Sequence, residues 1–138
     1  MIVVDIDVVA YLLIAGDKTE LAQQAWAKDP QWRLPTLWRH ELLNVLAAYV
    51  RTGGATADDA AAIWRQAIAL LGSEEEQPAM EQALLLAAEH QISAYDAQYL
   101  ALALANMLPM ISEDRVLQRE FPDVVLSLEE FCSSNPDW

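Results

Sequence analysis

The chain is poor in cysteine, in glycine, in long apolar runs and, above all, in positive charge. Its single cysteine, Cys132, leaves no means of building an intrachain disulfide or a thiolate zinc site. Four Gly and six Pro are scattered over 138 residues, with no low-complexity tract and no repeat of solenoid period, so nothing reads as a linker. The longest apolar stretches, Val8 to Ala15 and Tyr99 to Ala105, fall short of the roughly 18 residues of a membrane span, so a soluble protein with no membrane partner is expected. Met1 leads directly into Ile2-Val3-Val4-Asp5, and the first Lys or Arg is Lys18. That is not the pattern of a signal peptide, and the expected location is cytoplasmic.

Eight Lys and Arg face 21 Asp and Glu, a formal net charge of −13. Gripping nucleic acid tightly by counterion release needs the opposite balance, so a passive nucleic-acid binder is disfavoured. A carboxylate metal site needs this excess, and a bound divalent cation would invert the local field where a phosphate approaches. Most of the acids, Glu74-Glu75-Glu76 among them, read as a solvated surface. What remains is 54% apolar, enough for one sizeable core and too little chain for two ordinary domains, so residues 1–138 are expected to form one domain.

Ile2-Val3-Val4 is a β-branched run without alternation, the mark of a strand buried on both faces, and it ends at Asp5. Helices are expected over Val8 to Ala15 and Lys18 to Lys28, then a short strand over Trp32 to Leu34. Thr36 reads as the N-cap of a helix through Arg51, stopped by Gly53-Gly54, and Thr56 as the cap of one ending before Gly72. Pro78 opens a helix to about His90, followed by Ser93 to Met107. Strands over Pro109 to Ser112 and Val124 to Leu126 flank a short helix beginning near Asp114. Strands separated by helices mean α/β, with a small, mainly parallel sheet of four or five strands.

Four acids resist a solvent-facing reading. Asp5 stands at the carboxyl end of a strand expected at the sheet centre, where open α/β sheets bind ligands; it could instead cap the helix starting near Val8, a role for which Asp7 is at least as well placed. Glu41 shares a helical face with Leu37, Trp38 and Val45 and so needs a cation, either a metal or one of the six Arg. Asp96 lies three residues after Ser93, so a capping box and an inward-facing ligand are both open. Asp114 ends another strand and could equally cap a helix. Taken together, the four come from separate elements, and oxygen-only ligation points to Mg²⁺ or Mn²⁺. His40 and His90 lack metal-ligand spacing. Trp26, Trp32, Trp38 and Trp64 read as core or dimer-interface anchors, and Trp138 offers no reading.

The segments Ile2-Val3-Val4-Asp5-Ile6-Asp7-Val8, Pro35 to Leu46, Ser93-Ala94-Tyr95-Asp96-Ala97-Gln98-Tyr99 with its continuation to Ala103, and Ser112-Glu113-Asp114 together resemble the PIN-domain nucleases. Within them they resemble the VapC-like toxin ribonucleases of type II toxin-antitoxin pairs. The resemblance implies a PIN-like three-layer α/β/α sandwich and an endoribonuclease whose acidic site, Asp5, Glu41, Asp96 and Asp114, holds Mg²⁺ or Mn²⁺, with Ser112 in support. It further implies an RNA substrate, a homodimer and an antitoxin partner. The family usually follows its first Asp with Ser or Thr and then Asn or Ser. Here Ile6 removes a hydroxyl and Asp7 adds a charge, which makes Asp7 a further candidate ligand. Arg39 and Arg115, with Arg51 and Arg119, are the candidates for steering RNA. Two other readings compete: a PIN-like binding module without turnover, and a haloacid-dehalogenase-type phosphatase suggested by Asp5-Ile6-Asp7. The phosphatase also needs a downstream Lys, and the chain offers only Lys18 and Lys28.

Overall fold

The computed structural model describes residues 1–134, so Trp138 lies outside the described residues. At its centre is β1 (Ile2–Val4), every residue of which is buried. It pairs in parallel with β2 (Trp32–Pro35) on one side and with β4 (Met110–Ile111) on the other. Two short strands complete the sheet: β3 (Glu75–Glu76) beside β2, and β5 (Val125–Leu126) beside β4. The order is β3-β2-β1-β4-β5, five parallel strands among the described residues. Successive strands therefore step outward from β1 in one direction and then, after β3, cross back to build the other side. The reversal lies between β1 and β4, and the carboxyl ends of those strands flank the crevice where such sheets bind ligands.

Eight α-helices cover the sheet among the described residues: α1 (Ile6–Leu13), α2 (Thr19–Lys28), α3 (Trp38–Arg51), α4 (Ala57–Leu71), α5 (Met80–His90), α6 (Ala94–Asn106), α7 (Arg115–Glu120) and α8 (Leu128–Ser133). The result is a three-layer α/β sandwich. Helix α6 packs across β1, β2 and β4, which explains its near-absence of a polar face: Ala97 and the five residues Tyr99–Ala103 are all buried. Alanines at 97, 101 and 103 let its backbone approach the sheet closely, while Tyr99, Leu100 and Leu102 fill the flanks. Trp32 and Trp38 are wholly buried, Trp32 edge-on to Trp26 and Trp38 stacked on Trp64, so these four anchor the fold.

Three expectations need correction. Thr36 does not cap α3: the helix begins at Trp38 after Leu37, with no side-chain cap, because β2 runs through Pro35 and the chain turns straight into the helix. Glu75 and Glu76 are not free surface but β3. Glu75 is fixed there by Trp38 Nε1 at 2.6 Å and by a forked pair of bonds from Arg39, the shortest 2.7 Å, which hold its carboxyl below the usual carboxylate range. Helix α8 was not expected at all, although Ser127 and Glu130 form a reciprocal capping box at its start. Lys28 reaches from α2 to the far end of α8, donating to the carbonyls of Phe131 and Ser134.

Candidate active site

Each acid singled out in the sequence arrives at the crevice on a different element. Asp5 follows β1 directly, and its N–H donates to Ile111 at the end of β4, so the two strand ends are tied together. It is also the N-cap of α1: Oδ1 accepts from the Val8 N–H at 3.1 Å, so the cap falls to Asp5 and not to Asp7, for which the sequence left it equally open. Asp7 sits instead in the first turn of α1, exposed. Ser112, fully buried at the end of β4, donates its hydroxyl to Asp5 Oδ2 and accepts the Asp114 N–H at 3.1 Å. One hydroxyl thus sets both the Asp5 carboxylate and the backbone of the last acid. Asp114 caps α7 with Oδ1, which accepts from Val116 and Leu117, and its second oxygen accepts no hydrogen bond.

Glu41 rises half-buried from the first turn of α3, and its Oε1 accepts a 2.6 Å bond from the Tyr99 hydroxyl on α6. Tyr99 lies one turn after Asp96 on α6. Its role as the tether of Glu41 spans 58 residues of chain and leaves no local signature. Trp38 does not share Glu41's surroundings; it points into the core and onto Glu75. Asp96 forms only half a capping box: Ser93 Oγ accepts its N–H, but its carboxylate accepts no hydrogen bond.

These acids lie near enough to one another for their charges to interact. Burial pushes Asp5 from an ordinary 3.8 up to about 7, opposed by its bonds from Ser112 and Val8 and reinforced by the charges of Asp7 and Asp96. Asp7 keeps an exposed surface, but partial desolvation still raises it, with Asp114 adding; burial likewise raises Glu41, with Asp96 and Asp7 adding, and Asp96, with Asp114 and Asp7 adding. Asp7 influences three of the other four acids and is itself raised by Asp114, so the added acid at the start of α1 belongs to the cluster. Among the described residues no Lys, Arg or His pairs with any of the five.

The arrangement can be weighed against a divalent cation. Five carboxylates without a basic partner are an oxygen-only donor set of the right hardness. Among the described residues, however, no three His, Cys, Asp or Glu side chains close on a point that could hold a metal ion. The two observations are compatible, because Mg²⁺ keeps several waters and commonly takes only one or two carboxylates from a protein, completing its shell with substrate phosphate. The donor set fits.

The candidate RNA contacts divide. Arg39 is committed to Glu75 at the sheet edge, and Arg51 ends α3 beside a groove with α4. Arg115 and Arg119 lie one turn apart on α7, unpaired among the described residues, and line a groove of about 640 Å³ with Lys18 and Glu113. Glu113 turns away from the acids to Lys18, at 2.9 Å, and to the Leu128 N–H.

The PIN-domain family model matches residues 2–121. The chain belongs to the PIN-domain family. Over 128 residues this PIN domain is 27% identical to Ribonuclease VapC3 of Pyrobaculum aerophilum, spanning 90% of this chain and 97% of that one. Its fold is shared by the crystal structure of PAE2754 from the same organism, with a TM-score of 0.70 at 20% identity over 94% of this chain and 92% of the other. The match leaves the haloacid-dehalogenase reading without support. No helix among the described residues is long and apolar enough to cross a membrane.

Proposed function

We propose that this PIN domain is a metal-dependent endoribonuclease acting as the toxin of a type II toxin-antitoxin pair, with RNA as substrate, a second copy of the chain as dimer partner and an antitoxin as its inhibitor. The observation that carries the reading is the mutual proximity of Asp5, Asp7, Glu41, Asp96 and Asp114, close enough for their charges to interact and with no basic partner among the described residues. The relative named as a ribonuclease supports the choice of substrate.

In this reading Asp5, Glu41, Asp96 and Asp114 hold Mg²⁺ or Mn²⁺, with Asp7 contributing charge and a further oxygen. When bound, the metal supplies an acidified water for in-line attack on phosphorus and stabilises charge on the departing oxygen. The protein's part is positional. Ser112 locks the Asp5 carboxylate, Tyr99 locks Glu41, and the burial that makes ionised Asp5 costly is relieved by a cation. Arg115 and Arg119 draw the phosphate backbone toward an otherwise repulsive surface.

One feature favours a second reading, a PIN-like binding module without turnover: one oxygen of Asp114 and both of Asp5 already accept hydrogen bonds. Product chemistry separates the two. Incubation with RNA and Mg²⁺ or Mn²⁺ should give fragments bearing 5′-phosphate and 3′-hydroxyl ends, and EDTA should stop it. Metal binding without fragments would identify the binding module.

A further inference from the structure

A second concavity of about 370 Å³, within the size range of small-ligand sites, has Glu41 among its lining residues. Its α3 wall is built from residues 37, 40, 41, 44 and 45, spaced three and four apart as one stripe of a helix. This stripe is distinct from the core stripe of Trp38, Leu42 and Leu46. Ile6, Leu37 and Val45 make an apolar floor, while His40, Asn44 and Tyr95 supply polar and aromatic rims. His40 and Asn44 are exposed, and Tyr95, in the first turn of α6 next to Asp96, leaves 62% of its surface open beside the carboxylates. Ile6 gives the floor an apolar side chain at the position where the family's first motif usually carries a hydroxyl.

We propose that this pocket takes one unstacked base of single-stranded RNA adjacent to the scissile phosphate, with Tyr95 stacking on its face and Asn44 and His40 meeting its edge. The chemistry is that of single-strand recognition, in which splayed bases lie on aromatic rings and are read along their edges. The proposal rests on the nuclease reading, since Glu41 forms both the wall of the pocket and part of the acid cluster. The pocket carries no Lys or Arg, so it binds by stacking and hydrogen bonds, and the phosphates belong to the α7 side.

The test is binding of short single-stranded oligoribonucleotides of each base, followed by anisotropy in Ca²⁺, alongside cleavage-site mapping in Mn²⁺. Tyr95→Ala should weaken binding by about tenfold or more, the usual scale for losing one stacked base, and Tyr95→Trp should restore it. Asn44→Ala should flatten the preference among bases at the cut site. Tyr95 is exposed, so its variants should fold. If Tyr95→Ala binds all oligonucleotides as wild type does, the pocket is overturned, whether or not cleavage occurs. If wild type binds and Tyr95→Ala does not, but neither cuts, the pocket stands and the nuclease reading falls.

Discussion

Asp5 is the residue where stability and function pull apart. Its carboxyl is pushed up to about 7 by burial, while in the unfolded chain it ionises near 3.8. Between those values the folded form holds the proton that the unfolded form has released, so stability falls as pH rises through that window and the penalty is complete above about 7. Replacing Asp5 with Asn removes the buried charge while keeping an acceptor for Val8. In EDTA at pH 8 the variant should therefore be more stable than wild type by about 1–3 kcal/mol, the gain fading as pH falls toward 4, while cleavage is lost. Urea unfolding at several pH values checks it. Tyr99→Phe removes only the hydroxyl that holds Glu41 at 2.6 Å. It should lower Mn²⁺ affinity by about 10- to 100-fold, read by calorimetry, as loss of a hydrogen-bonded support of a ligand does.

At the scale of elements, Asp114 does two jobs that can be separated. It caps α7 through Oδ1, so Asp114→Ala should cost about 1 kcal/mol, whereas Asp114→Asn, an equally good cap, should leave the melting temperature in place. Both should lose RNA cleavage if the carboxylate charge is what the site uses. Much of the element plan was legible. The continuous apolar runs at Ile2-Val3-Val4 and Met110-Ile111 marked buried parallel strands, and Asp5 and Asp114 could be placed at their ends from pattern alone. β3 was not legible, because its two glutamates are held at the sheet edge by residues distant in sequence, Glu75 by Trp38 and Arg39 and Glu76 by Asn106 and Arg33. Nor was the Glu41–Tyr99 tether, which exists only once α3 and α6 are packed. Helix α8 was different: its Ser127 and Glu130 spacing was a readable signal that went unused.

The whole molecule carries a net charge of −13, and five of its acids interact with one another without a basic partner among the described residues. Removing that charge by binding a cation should stabilise the entire fold, since a ligand of the native state alone adds RT ln(1 + [L]/Kd), about 2.7 kcal/mol at a hundredfold excess over Kd. Thermal melts should therefore rise with Mn²⁺ or Mg²⁺, and the rise should be smaller in Asp5→Asn. The acidity that argued against a passive nucleic-acid binder is thus reconciled with an RNA substrate. Under the proposed function the acids would recruit the cation, and Arg115 and Arg119 would draw the backbone in on one flank only.

The most direct test of the central claim is the rate of RNA cleavage in Mn²⁺ by wild type and by Asp96→Asn. Asp96 is the best position because its carboxylate accepts no hydrogen bond among the described residues, so amidation alters charge with little else. The account predicts cutting by wild type that EDTA abolishes, and at least a hundredfold loss in the variant at an unchanged melting temperature. Cleavage that persists in EDTA, or that Asp96→Asn leaves intact, would contradict it.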